Sequence, residues 1–132
     1  MMSKRTMLEF FLLAKLMSLD EGVGLDTYRK CKDFLLSDMF LEKKNKWVFE
    51  VIVEMYEKGF TMTCEDDIVK YLDQENKVPK DKLGSIACWL IEIYLQFCNM
   101  TRPVTGVEFT VVEAIDELIK LSGLDEWEML KN

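Results

Sequence analysis

Between Phe40 and Gly59 the apolar residues Val48, Val51, Ile52 and Met55 recur at intervals of three and four, a spacing that builds one face of a helix and not one face of a strand. The stretch to Met62 reads F-L-E-K-K-N-K-W-V-F-E-V-I-V-E-M-Y-E-K-G-F-T-M. It has a leading aromatic, a basic first turn, and Gly59 placed as a left-handed stop residue. A helix from Phe40 to Lys58 is expected.

The same period runs through the rest of the chain. Thr6-x-x-Glu9 has the form of a capping box, the Thr6 hydroxyl taking the Glu9 backbone N–H and the Glu9 carboxylate reaching back. It predicts a helix through about Leu19 with a broad apolar face of Leu8, Phe11, Leu12, Leu13, Leu16 and Leu19. Gly22-Val-Gly24 breaks that pattern, and Asp26 is expected to cap a second helix carrying Tyr28, Cys31, Phe34 and Leu35. Thr63, followed by Glu65, Asp66 and Asp67 at the positive end of a helix dipole, opens a fourth helix that ends near Asn76.

From Lys80 to Asn99 a longer helix is expected, with Leu83, Ile86, Ala87, Leu90, Ile91, Tyr94 and Phe97 on its core side. Trp89, Ile93 and Cys98 widen its apolar surface almost all round, and such a helix needs a partner besides the core. Thr105-x-x-Glu108 repeats the capping pattern for a final helix through Val107, Val111, Ile115, Leu118 and Ile119, stopping before Gly123. No alternating run offers a strand and no repeat is visible. The expected fold is all-α, six principal helices in one domain over 1-132: a head of about four helices (about 6-78) and a C-terminal antiparallel helical hairpin (about 80-122).

Composition narrows the chemistry. The 132 residues suffice for one core, and with 49% apolar and 31% charged residues the chain is globular rather than disordered. Its apolar runs are too short to span a bilayer, and Lys4 and Arg5 ahead of Met7 to Met17 do not make a signal peptide because Glu9 and Lys15 interrupt the run. Cys31, Cys64, Cys88 and Cys98 form no C-x-x-C pair and there is no histidine, so no metal is expected and the thiols point to a reducing cytoplasm. Without a histidine base or a phosphate-cradling G-x-x-x-x-G-K-[ST] loop, the chain reads as a non-enzyme with no cofactor.

A formal charge of −7 opposes tight nucleic-acid binding. Positive charge gathers at Arg29, Lys30 and Lys32 and again at Lys43, Lys44 and Lys46, where Trp47 among cations offers a stacking surface. Glu113, Asp116 and Glu117 share one helix face, read as solvated rather than as a cation site. The candidate partner-binding residues are Trp89, Ile93 and Phe97 on the fifth helix, with Lys43, Lys46 and Trp47 as a second surface.

One family resemblance accompanies these patterns. In the first helix, Glu9-Phe-Phe-Leu12-Leu13-Ala-Lys-Leu16-Met17 is similar to the N-terminal domain of DnaB-type replicative helicases, with Ala14 where glycine is common. Phe40, Val48, Phe49, Ile52, Met55 and Gly59, then Ile68, Leu72, Val78 and Gly84, follow that family's order over most of residues 7 to 95. Asn45 stands where histidine is frequent, and Thr63 where aspartate is. The family's linker and ATP-driven motor domain are not among these residues, leaving an excised domain or a free-standing relative.

The resemblance implies a helical head plus hairpin, self-association through the hairpin, and docking of primase, replicative helicase or a helicase loader. The helicase-binding domain of primase is similar in fold. The leading reading is a non-catalytic interaction and oligomerisation domain of the DNA replication machinery, without membrane partners. Two alternatives stand beside it: an acidic free-standing regulator of phage or mobile-element origin that competes for helicase partners, and a helix-turn-helix DNA binder, disfavoured for want of a basic recognition face.

Overall fold

Every residue from Leu8 to Ala14 is buried, because the first helix is enclosed by the others. The computed structural model describes residues 3–35, 37–100 and 110–131, with side chains described over 3–35, 37–96 and 110–123. Six α-helices follow in order: α1 Lys4–Leu16, α2 Val23–Cys31, α3 Lys43–Glu57, α4 Glu65–Gln74, α5 Leu83–Met100 and α6 Val111–Lys131. Short 3-10 turns at Ser37–Met39 and Lys80–Lys82 precede α3 and α5, and no strand occurs among the described residues. The chain is all-α, as expected.

Around α1 stand α5 and α6 on two sides and α2 and α3 on the others, while α4 bridges α3 and α5. Among the described residues each of the two long helices lies along α1. A helix apolar around its circumference is stable only where neighbours cover all of it, and α1 is that helix here.

Local chemistry sets the element ends, in several places differently from expectation. Ser3, not Thr6, caps α1: its hydroxyl oxygen accepts the Thr6 N–H at 3.2 Å, and Glu9 turns inward instead of back to the cap. The helix stops at Leu16, leaving Leu19 76% exposed. Gly22, with φ of 82°, precedes α2 at the cap position assigned to Asp26, and Asp26 lies inside the first turn bridged to Lys30 at 2.9 Å. Gly24 is helical rather than a breaker: a Cβ there would stand 2.5 Å from the Leu16 carbonyl oxygen and 2.6 Å from the Tyr56 hydroxyl. This glycine permits close approach of α2 to α1.

Phe40 precedes α3 rather than belonging to it, and stacks on Phe49 with centroids 4.7 Å apart. At the other end Gly59 has φ of 98°, and the bonds from Phe60 N–H to Met55 O and from Gly59 N–H to Tyr56 O make the expected left-handed stop. Asn76, with φ of 51°, ends α4 the same way.

Cys64 is the cap residue of α4, its N–H donating to the Asp67 carboxylate at 3.2 Å, because Thr63 is turned into the core. Helix α6 begins after Thr110, whose hydroxyl accepts the Glu113 N–H, and it continues through Gly123 instead of stopping there. The expected cap at Thr105 and the expected helical Val107 lie outside the described residues.

Candidate interaction surface

Helix α5 is apolar on two faces. Leu90 and Ile93 are fully buried against the core, with Leu83, Ile86, Trp89 and Tyr94 partly buried beside them. On the adjacent outer face Cys88, Ile91 and Leu95, spaced by three and four, meet solvent, Ile91 at 46% and Leu95 at 58% exposure. Spacing alone puts Ile91 in the core stripe and Ile93 outside it, and the structure reverses the two. Each residue turns a helix by about 100°, so Ile91 and Ile93 sit about 200° apart, and the neighbours α1 and α4 take Ile93 inward.

The other expected partner-binding residues are distributed unequally. Trp89 is half-buried, tilted against Phe10 at 6.0 Å with the Lys44 ammonium 4.9 Å from its ring centroid, and its Nε1 finds no hydrogen-bond partner among the described residues. It joins the first turn of α3 to α5 rather than standing open. The Phe97 side chain lies outside the described residues. Lys43 is exposed, whereas Lys46 holds Asp38 at 3.0 Å, and that hydrogen bond together with the Asp38 charge raises its pKa. Trp47 packs partly against the core, so these three side chains do not present an open stacking platform.

Sequence reasoning missed the most constrained polar site, at the N-terminus of α3. Glu9, 0% exposed, accepts the Leu41 N–H at 2.8 Å, the Glu42 N–H at 3.3 Å and the Asn45 side-chain amide at 3.1 Å. Unsatisfied donors at a helix N-terminus attract an anion, and α1 supplies one across the core. Burial raises the Glu9 pKa, opposed by the hydrogen bonds from Leu41, Asn45 and Glu42 and by the Arg5 charge. The available signal was a lone carboxylate inside the apolar run Leu8 to Leu13.

A second buried polar cluster closes the end of α1. Thr63 Oγ1 donates to the Leu16 carbonyl at 2.8 Å and lies 3.2 Å from the Tyr56 hydroxyl, which also reaches Leu16 O at 3.4 Å. These groups satisfy a helix C-terminus that would otherwise end in the core without donors. Burial pushes the Cys31 thiol up to about 12, which leaves it a packing residue.

Three carboxylates in the first half of α6 have structural partners: Glu113 with Thr110, Asp116 with Lys120, and Glu117 with Lys4. Among the described residues no group of three or more His, Cys, Asp or Glu could hold a metal, and no helix is long and apolar enough to cross a membrane.

No protein-family model, curated protein or solved structure matches the chain. The chain folds as an acidic all-helical domain in which buried Glu9 and Thr63 serve helix ends and whose fifth helix shows a second apolar face to solvent.

Proposed function

We propose that this chain is a non-catalytic protein-interaction and self-association domain of the DNA replication machinery, docking primase, a replicative helicase or a helicase loader. The observation that carries the interaction role is the outer face of α5, where Ile91 and Leu95 are exposed beside Cys88 on a helix whose other side is already in the core. The replication setting rests on the DnaB-like order of Glu9, Leu12, Leu13, Phe40, Val48, Ile52 and Gly59. In this reading α1 to α4 are the head and α5 and α6 the hairpin arms. The charge of −7 favours one further reading on the same surface, a free-standing acidic regulator that competes for helicase partners.

Sedimentation velocity over a concentration series tests the self-association. The wild-type chain is expected to gain mass toward a dimer, and Ile91→Glu with Leu95→Glu to remain monomeric with an unchanged helical spectrum. Calorimetric titration with purified primase and purified replicative helicase tests the docking. A chain that stays monomeric and binds neither protein would remove both readings.

A further inference from the structure

A groove of about 400 Å³ opens between the end of α2 and the outer side of α3, and no residue of α5 lines it. Its base is apolar: Phe49, Leu35, Tyr28 and Val53. Two of these rings are fixed by stacking, Phe49 on Phe40 and Tyr28 on Tyr56, each pair with centroids 4.7 Å apart, so the base is formed before anything binds.

Charge is arranged unequally on the two walls. Glu50, Val53, Glu54 and Glu57 lie on one side of α3, and Lys32 stands on the wall contributed by the end of α2. Glu54 is already engaged by Lys77 at 3.1 Å and by the Tyr71 hydroxyl. Glu50 and Glu57 are exposed and have no ion pair among the described residues. Two helical turns separate them, about 10 Å along the axis at 1.5 Å per residue.

We infer that this groove docks an amphipathic helix of another protein, one that carries Lys or Arg seven residues apart on one edge and bulky apolar residues between them. The cations would meet Glu50 and Glu57, the apolar residues would fill the space over Tyr28 and Val53, and the acidic net charge of the chain would speed the encounter. A second copy of this chain does not supply that helix. Its one pair of cations seven apart, Lys70 and Lys77, brackets Asp73 and Gln74.

The test uses the full chain and two synthetic helical peptides, one with Arg at positions i and i+7 around Leu at i+3 and i+4, the other with Glu in place of both Arg. Amide-resonance titration should show the Arg peptide shifting Tyr28, Leu35 and Val53 and leaving Ile91 and Leu95 still, with affinity falling as salt rises. Glu50→Lys with Glu57→Lys should weaken the Arg peptide about tenfold or more and give the Glu peptide the advantage. Should the paired Lys variant lose helical structure, Glu50→Gln with Glu57→Gln replaces it and should weaken the Arg peptide without favouring the Glu peptide. Equal binding of the two peptides, shifts confined to other surfaces, or no binding of the Arg peptide would each overturn the inference. None of these results depends on α5, so self-association can fail while the groove binds, and the reverse.

Discussion

Asn45 donates its side-chain amide to the Glu9 carboxylate at 3.1 Å, and both residues have no exposed surface. The bond ties the centre of α1 to the first turn of α3, and with the Leu41 and Glu42 N–H groups it makes Glu9 the cap of a helix to which it does not belong. Asn45 Oδ1 has no partner among the described residues, so the amide is held from one side. Glu9→Ala removes the acceptor shared by the Leu41 and Glu42 N–H groups and the buried Asn45 amide and should destabilise the fold by about 2–3 kcal/mol, whereas Asn45→Ala, which also removes the unpartnered oxygen, should cost about 1 kcal/mol. Urea unfolding of both single variants and the double variant would decide, and strictly additive losses would show that Asn45 does not depend on Glu9 for its effect.

Stability should carry a pH signature from the same carboxylate. Burial, the largest influence, raises its native pKa above the ordinary 4.5, so between the two values the native state holds more protons than the unfolded chain. The Glu9 contribution is therefore full below 4.5 and is lost as pH rises through the native value. Glu54 acts oppositely, lowered first by the Tyr71 hydrogen bond and then by the one from Lys77. The comparison that isolates Glu9 is with Glu9→Gln: wild-type stability should decline relative to this variant as pH rises. A constant difference across the range would show the carboxylate titrates alike in both states.

Gly24 and Gly123 should respond oppositely to alanine. At Gly24 the new Cβ meets the Leu16 carbonyl oxygen and the Tyr56 hydroxyl at 2.5 and 2.6 Å, and pushing α2 away should cost about 1–3 kcal/mol. At Gly123, inside α6 with nothing within 4 Å, alanine should stabilise by about 0.5–1 kcal/mol through helix propensity. Thermal unfolding reads both. A tolerated Gly24→Ala would mean that the approach of α2 to α1 is not close.

The two faces of α5 should separate by stability. Ile93→Ala, in the fully buried side, should cost about 2–5 kcal/mol, and Trp89→Ala, which loses the Phe10 and Lys44 contacts, about 2–4 kcal/mol. Ile91→Glu should stay within about 0.5 kcal/mol of wild type. Chemical denaturation of the three variants at low protein concentration checks this, and a strongly destabilised Ile91→Glu would place that residue in the core.

Thiol labelling of the native chain should find Cys88 before Cys31. It is exposed, while Cys31 is fully buried with its thiol pushed up to about 12. Peptide-level mass spectrometry after brief alkylation should show Cys88 modified and Cys31 protected until the chain unfolds, and early modification of Cys31 would contradict its buried place at the end of α2.

What could be read in the residue order was what neighbours in sequence decide. The helices of Val48 to Met55 and Ile68 to Leu72 follow from apolar spacing, and the stop at Gly59 follows from the one residue type that adopts positive φ without cost. The caps were less legible, because Ser3, Thr6, Thr63 and Thr110 all have the right side chain. Which of them faces its own helix depends on where the next helix lies: Thr63 is taken by the Leu16 carbonyl, and Glu9 by the N-terminus of α3. The same holds for Ile91 and Ile93. On a helix with apolar residues on two faces, spacing alone leaves the buried face undetermined, and only the packing of α1 and α4 against α5 chose Ile93.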